Sequence, residues 1–231
     1  MTIPLKESKH KTFYLDLDVL YEDEYIAVVH KPAGVLTSGN SFKTIANALS
    51  QNLSTSNKKD AIAPQPAHRL DFATTGALIV GKTRGSLQYL NQAFESQKIK
   101  KVYYAICIGH LKEYGVIDFP IDNKEAKTYF QVIDGVHSPR FGQLQLVQLL
   151  PITGRRHQLR KHLLAMGSPI LGDPTYYNEN HLLKGKGLYL HAYSLRFKHP
   201  TTKTTLQIVD VLPTKFQKIF AATLPRDFLL R

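Results

Sequence analysis

The stretch His68-Arg69-Leu70-Asp71-Phe72-Ala73-Thr74-Thr75-Gly76, followed at once by Ala77-Leu78-Ile79-Val80, sets a carboxylate beside two basic side chains and just ahead of an apolar run of strand length. Pro64 and Pro66 introduce the segment, so Asp71 is expected in a loop that enters a buried strand. A carboxylate there can serve as nucleophile or base, because its surroundings fix its direction and charge state. Taken alone, the pattern fits an ordinary ion pair at a strand end better.

Working outward, Tyr25-Ile26-Ala27-Val28-Val29-His30 reads as a strand stopped by the turn Lys31-Pro32-Ala33-Gly34. Thr44 to Leu53 reads as a short helix with Ile45, Ala48 and Leu49 on one face, and Ser54 to Asp60 as a mobile basic loop. Residues 84 to 96 suit a helix burying Leu87, Leu90 and Phe94. Val102 to Ile108 and Leu144 to Ile152 read as strands. From Thr153 the chain is expected to enter a helix running to Met166 and stopped by Gly167, with Leu159, Leu163 and Met166 toward the core. Arg156 and Arg160, four apart on that helix, would repel unless something negative lay between them. Leu188 to Phe197 is a last long strand, and Phe216 to Ala222 a short terminal helix.

Thirty Lys and Arg against 18 Asp and Glu give a net charge of +12, which points to a polyanionic partner, with nucleic acid first. Twelve Tyr and 11 Phe supply surfaces on which unpaired bases can stack. No run has the length of a membrane span, and Met1 to Thr12 lacks the apolar core of a signal peptide. The single cysteine, Cys107, lies in an apolar run and reads as a small buried residue in a reducing compartment. A cytoplasmic protein without a membrane partner is expected. There is no Walker A loop, dinucleotide-type glycine fingerprint, nucleophile elbow or His-Glu-x-x-His site. His157 and His162, five apart, would fall on different helix faces, so neither a cofactor nor a metal is expected.

The segment from His68 to Gly76 resembles the active-site motif of the RluA-type pseudouridine synthases, which isomerise uridine in ribosomal and transfer RNA. The resemblance extends, in family order, through Tyr21-Glu22-Asp23, Lys31-Pro32-Ala33-Gly34, Lys101-Val102-Tyr103-Tyr104-Ala105, Thr153 to Arg160, Leu171-Gly172-Asp173-Pro174, Leu190-His191-Ala192 and Phe197 to Thr201. It covers roughly residues 20 to 201, and several unrelated motifs agreeing by chance is far rarer than one.

The resemblance implies an α+β fold, a mixed and mostly antiparallel sheet with a central cleft and flanking helices. It implies that Asp71 is the catalytic aspartate, that Tyr103 packs against the target base, and that Arg160 pairs with Asp71. His68 and Arg69 are the further candidates for substrate binding, and Arg155, His157 and Lys161 for phosphate contact or support. Isomerisation needs no cofactor. Residues 1 to 15 are expected to be a polar lead-in and residues 16 to 231 one catalytic domain, without a separate N-terminal RNA-binding domain, acting as a monomer. Phe72, Thr75 and Arg156 depart from the family pattern around the aspartate. The missing appended domain and the basic residue after Arg160 lean toward transfer RNA over ribosomal RNA. Two other readings compete: a catalytically inactive RNA-binding or RNA-folding module on the same fold, and a carboxylate glycosidase. The latter needs a second acid, for which only distant residues such as Asp173 are available.

Overall fold

The computed structural model describes residues 13–176 and 187–220. In chain order the elements are β1 (Val19–Glu22), β2 (Ile26–Lys31), α1 (Ile45–Asn52), β3 (Ala61–Pro66), β4 (Thr75–Thr83), α2 (Arg84–Glu95), β5 (Lys100–Ile108), β6 (Tyr114–Ile117), β7 (Thr128–Ser138), β8 (Gly142–Pro151), α3 (Gln158–Ala165), β9 (Leu190–Lys198), β10 (Thr205–Val209) and α4 (Thr214–Gln217). The strands form one sheet in the order β1-β2-β4-β9-β5-β8-β7-β6, with β10 added to β9 and β3 to β4. The pairing of β4 with β9, at Thr75↔His191 and Gly76↔Ala192, is parallel, and the other strand pairs are antiparallel. This is the expected mixed α+β architecture.

All nine residues of β4 are buried. One face of β2 and β4 packs Ala27, Val29, Leu78 and Val80 against Ile45, Ala48 and Leu49 of α1. The opposite face packs Ile26, Val28, Ala77 and Ile79 against Leu90 and Ala93 of α2. Two covered faces explain why both strands read as continuous apolar runs without alternation. A third cluster joins β5 and β8 to Leu159 and Leu163 of α3 and to Phe216 of α4. Cys107 is buried within it.

Several expectations need correction. The supposed mobile loop is tied down: the Ser54 and Asn57 amides donate to the carboxylates of Glu22 and Glu24, each at 2.8 Å, and Asp60 accepts from the Gly85 amide at 2.9 Å. Distant carboxylates satisfy its polar backbone, which a local reading does not see. Phe13 and Leu15, placed in the polar lead-in, pack on the α1 cluster; residues 1 to 12 lie outside the described residues. The strand β3 went unread because Pro64 and Pro66 argue against a ladder, yet it pairs on β4 alone, at an edge where a missing N–H is tolerated. The polar hairpin partners β6 and β7 also went unread.

Helix α3 begins at Gln158, because His157 takes a left-handed conformation at φ 56°. Arg156 therefore precedes the helix, and the expected stacking of Arg156 on Arg160 does not form. The later start also changes which residues face inward: Arg160 is buried whereas Met166 is 39% exposed. The last helix spans Thr214–Gln217 rather than beginning at Phe216, and Ala221 and Ala222 lie outside the described residues.

The parallel junction of β4 with β9 begins at Thr75, four residues after Asp71. Gly76 there has φ +122°, and a Cβ would lie 2.4 Å from the Ala192 carbonyl oxygen, so both backbone conformation and space demand glycine. Gly76→Ala is expected to cost about 2–4 kcal/mol; a urea denaturation midpoint equal to wild type would contradict this close approach. At the same junction the Thr75 hydroxyl donates to His191 Nδ1 at 2.8 Å, and His191 Nε2–H donates to the Asp210 carbonyl at 3.0 Å. Burial, opposed by Asp210, pushes the His191 pKa down to about 4 from 6.5. Between those values the unfolded chain binds a proton that the folded chain does not. The stabilisation is therefore present above pH 6.5 and lost as pH falls through 4, of the order of 1–3 kcal/mol. Denaturation curves at pH 7 and pH 4.5 should show a smaller loss of stability in His191→Gln, which starts lower, than in wild type.

Candidate active site

The loop carrying Asp71 is held by groups that arrive before it in the sequence. Lys31, at the end of β2, has no exposed surface, and its Nζ donates to the carbonyls of Pro32, Thr74 and Phe72 at 2.8, 2.9 and 3.3 Å. Three donors meet three carbonyls, two of them within the loop. The Gly34 amide adds a bond to the Phe72 carbonyl at 2.8 Å. Thr37 Oγ1 accepts from the Leu70 amide at 3.1 Å and donates to the Leu70 carbonyl at 3.0 Å. The backbone on both sides of Asp71 is thus fixed. Burial pushes the Lys31 pKa down to about 8, while the Asp71 charge opposes the shift.

Opposite the loop stands Arg160, 4% exposed. Its Nε and Nη2 donate to the two oxygens of Asp173 at 2.6 and 2.7 Å, and its Nη1 lies 3.6 Å from Asp71 Oδ2. Asp173 is itself buried and also accepts from the amides of Thr175 and Tyr176. Burial raises the Asp173 pKa, but these hydrogen bonds, led by Arg160, outweigh it and hold the carboxyl ionised. Burial likewise works against the Arg160 charge, and Asp173 and then Asp71 more than restore it. The guanidinium rests 4.8 Å from the centre of the Tyr176 ring.

His157 Nδ1 shares a 2.8 Å hydrogen bond with the Tyr176 hydroxyl, and its Nε2 lies 3.8 Å from Asp71 Oδ1. Burial lowers its pKa, with Asp71 opposing and Arg160 adding to the shift. Gln158 locks the approach to α3. Its Oε1 accepts from the Thr153 hydroxyl at 2.7 Å and the Arg155 amide at 2.9 Å, and its Nε2 donates to the Lys127 carbonyl at 3.0 Å.

Asp71, Arg160, His157 and Gln158 line a cleft of about 530 Å³ together with Tyr103, Arg69 and Phe94, a size suited to a small molecule or a single nucleotide. Asp71 is 27% exposed on its floor. Tyr103 forms a wall; burial, helped by Asp71, pushes its phenol pKa up and keeps it neutral. Thr74 Oγ1, at the cleft edge, is buried without a hydrogen-bond partner.

Asp71, Tyr103, Arg160, Arg69 and His68, the five site residues expected from the sequence, all line this cleft. Their situations differ. Arg69 is exposed at the rim. The His68 ring lies 4.4 Å from Phe94, and its Nε2 accepts from the Ile79 amide at 3.0 Å. Burial and then the nearby Lys101 charge push its pKa down to about 3, so it offers a neutral ring rather than a charge. Arg155 donates to the Glu125 carbonyl, and Lys161 is paired with Asp122 at 2.8 Å. The sequence reading missed the roles of Lys31, Thr37 and Tyr176. A lysine closing an apolar strand was the available signal for Lys31, since a fully buried lysine needs partners. Asp173, the distant acid a glycosidase would need, is committed to Arg160.

The chain matches the sequence model of RNA pseudouridylate synthases over residues 25–165. It is 34% identical to the dual-specificity RNA pseudouridine synthase RluA of Vibrio parahaemolyticus, covering 88% of this chain and 87% of the relative. It is 32% identical to tRNA pseudouridine synthase C of Haemophilus ducreyi, covering 89% and 95%. Among solved structures it superposes on human RNA Pseudouridylate Synthase Domain Containing 4 with a TM-score of 0.70 at 25% identity, over 88% of this chain and 92% of that one. With that family's sequence pattern and fold both present, the chain belongs to the RNA pseudouridylate synthase family of isomerases.

Proposed function

We propose that the protein converts a uridine in structured RNA to pseudouridine, with Asp71 as the catalytic carboxylate. The observation that carries this reading is the state of Asp71 in the cleft. Among the described residues neither of its oxygens accepts a hydrogen bond, while Arg160 and His157 stand at 3.6 and 3.8 Å. The carboxylate is oriented and electrostatically supported, yet its lone pairs are open to a substrate.

A uridine in structured RNA must leave the base stack before any side chain reaches it. Once in the cleft, its base packs against Tyr103, and Asp71 attacks either C1′ of the ribose or C6 of the base. On either route the N1–C1′ bond breaks, the C5–C1′ bond forms, the bond to Asp71 breaks again, the hydrogen at C5 leaves as a proton, and N1 takes one up. Lys31 and Arg160 stabilise the carboxylate both before attack and as it departs. The reaction is redox-neutral and adds no group.

Both transfer RNA and ribosomal RNA are proposed as substrates, transfer RNA first; one relative is named as a tRNA pseudouridine synthase and another as a ribosomal large subunit pseudouridine synthase. Lys161, which favoured transfer RNA on sequence, is neutralised by Asp122 and weighs for neither. Residues 16 to 231 are proposed to act as one catalytic domain, which the single sheet running from β1 to β10 supports. A monomer in the cytoplasm is proposed, and the lone buried Cys107 suits a reducing compartment.

Release of tritium from RNA labelled at uridine C5 tests the reaction. Wild type should release it from a transfer-RNA or ribosomal-RNA transcript, and Asp71→Asn should lose at least about a thousandfold in rate, as expected when a covalent nucleophile is removed, while binding RNA within about threefold of wild type. Tight binding with no release from any transcript would favour an RNA-folding module instead. Lys31 acts through the loop. As pH rises through about 8 it loses its charge and one of its three donors, so the single-turnover rate at saturating RNA should decline across that range. Lys31→Met should be slower by about tenfold or more with little change in RNA affinity, and its rate should no longer decline there. An equal decline in the variant would remove Lys31 from the account.

A further inference from the structure

Lys101 lies on the same face of β5 as Tyr103, two residues away, and both line the cleft. It is half-buried, and among the described residues no carboxylate lies within ion-pair distance of its Nζ. Among the described residues its Nζ makes one hydrogen bond, a long one of 3.5 Å to the Thr153 carbonyl. Other cations around the cleft are differently placed: Arg160 is held by Asp173, Lys31 by three carbonyls, and Lys161 by Asp122. Arg155 is anchored through Nε to a carbonyl. Burial alone pushes the Lys101 pKa down to about 8, with no carboxylate opposing the shift. Its charge also falls on His68, adding to the burial that keeps that ring neutral. A lysine drawn partly out of water without a counter-charge is unfavourable in the free protein, and an anion entering the cleft relieves that cost.

We infer that Lys101 forms an anion subsite of the cleft that binds a backbone phosphate adjoining the flipped nucleotide. The inference rests on the reading of the cleft as the site that takes a uridine from RNA. Residues two apart on one face of a strand are roughly 6–7 Å apart, comparable to the distance between the base and the phosphate of one nucleotide. A base against Tyr103 thus brings its own or the next phosphate toward Lys101, with the Thr153 carbonyl steadying the ammonium group. Lys101 is then a binding residue that helps hold the nucleotide out of its stack, separate from the groups that orient Asp71.

A double-mutant cycle tests the assignment. Single phosphates of a synthetic RNA hairpin bound by wild type are replaced, one at a time, by uncharged methylphosphonate, and each hairpin is titrated with wild type and Lys101→Met. At one position the replacement should weaken wild-type binding by about tenfold to a hundredfold, and should cost Lys101→Met almost nothing. Lys101→Arg should regain sensitivity at that position. Lys101→Gln serves as the second neutral variant if Lys101→Met proves unstable. Full additivity at every phosphate would overturn the assignment. Tritium release by wild type from the same hairpin separately tests the catalytic reading, and the cycle remains readable without turnover because it measures binding alone.

Discussion

Arg160 brings one guanidinium to two carboxylates, and their unequal shares of it organise the site. Asp173 takes two short hydrogen bonds, and Asp71 is left with the third nitrogen at 3.6 Å. A buried bidentate pair of this kind fixes a planar group in one orientation. That is what allows Nη1 to point at Asp71 without binding it closely. Were Asp173 absent, Arg160 would be free to form its own tight pair with Asp71, and the carboxylate would lose the open lone pairs that the proposed reaction requires. Asp173 therefore keeps Asp71 available by occupying the stronger donors of its partner.

The charges then have to balance. Arg160 and Asp173 cancel, leaving Asp71 as an excess negative charge at the cleft floor, and Lys31 supplies the compensating cation from behind. It touches the loop backbone rather than the carboxylate, so it can stabilise the charge without blocking it. Burying a lysine is costly, and its pKa near 8 reflects that cost. Three carbonyl acceptors and the Asp71 field make the charged form tolerable. The same contacts tie the loop to β2 while Gly76 and Thr75 tie its other end to β9, so the geometry of the carboxylate is set by the sheet.

Much of this was legible in the sequence because it lies in contiguous motifs. The apolar runs of β2 and β4 announced strands, and the residues around Asp71, Tyr103 and Arg160 pointed to one site by their resemblance to a family. What stayed hidden depends on residues far apart in the chain. Nothing near Ser54 or Asn57 shows that Glu22 and Glu24 will accept their amides. The repulsion expected between Arg156 and Arg160 assumed a helix that the left-handed His157 delays, so the two do not stack. Arg160 alone meets Asp71 and Asp173, on two other segments. Edge strands such as β3, in which Pro64 and Pro66 are tolerable only because one side is unpaired, are legible only once the sheet order is known.

A net charge of +12 suggests a surface uniformly ready for RNA, but the cleft divides its cations between two tasks. Arg160 and Lys31 are held by protein groups and set the surroundings of Asp71, the proposed nucleophile; an RNA phosphate that captured either would disturb Asp71. Arg69 at the rim and Lys101 inside the cleft stand outside that network. Separating the two sets has a physical consequence: the backbone can be gripped strongly, with the salt dependence that phosphate binding brings, while the field at Asp71 is set by the protein itself. His68 fits this division. Buried against Phe94 and near the Lys101 charge, it stays neutral and supports the backbone of β4, so it adds no further positive charge to compete with Arg160 for the carboxylate.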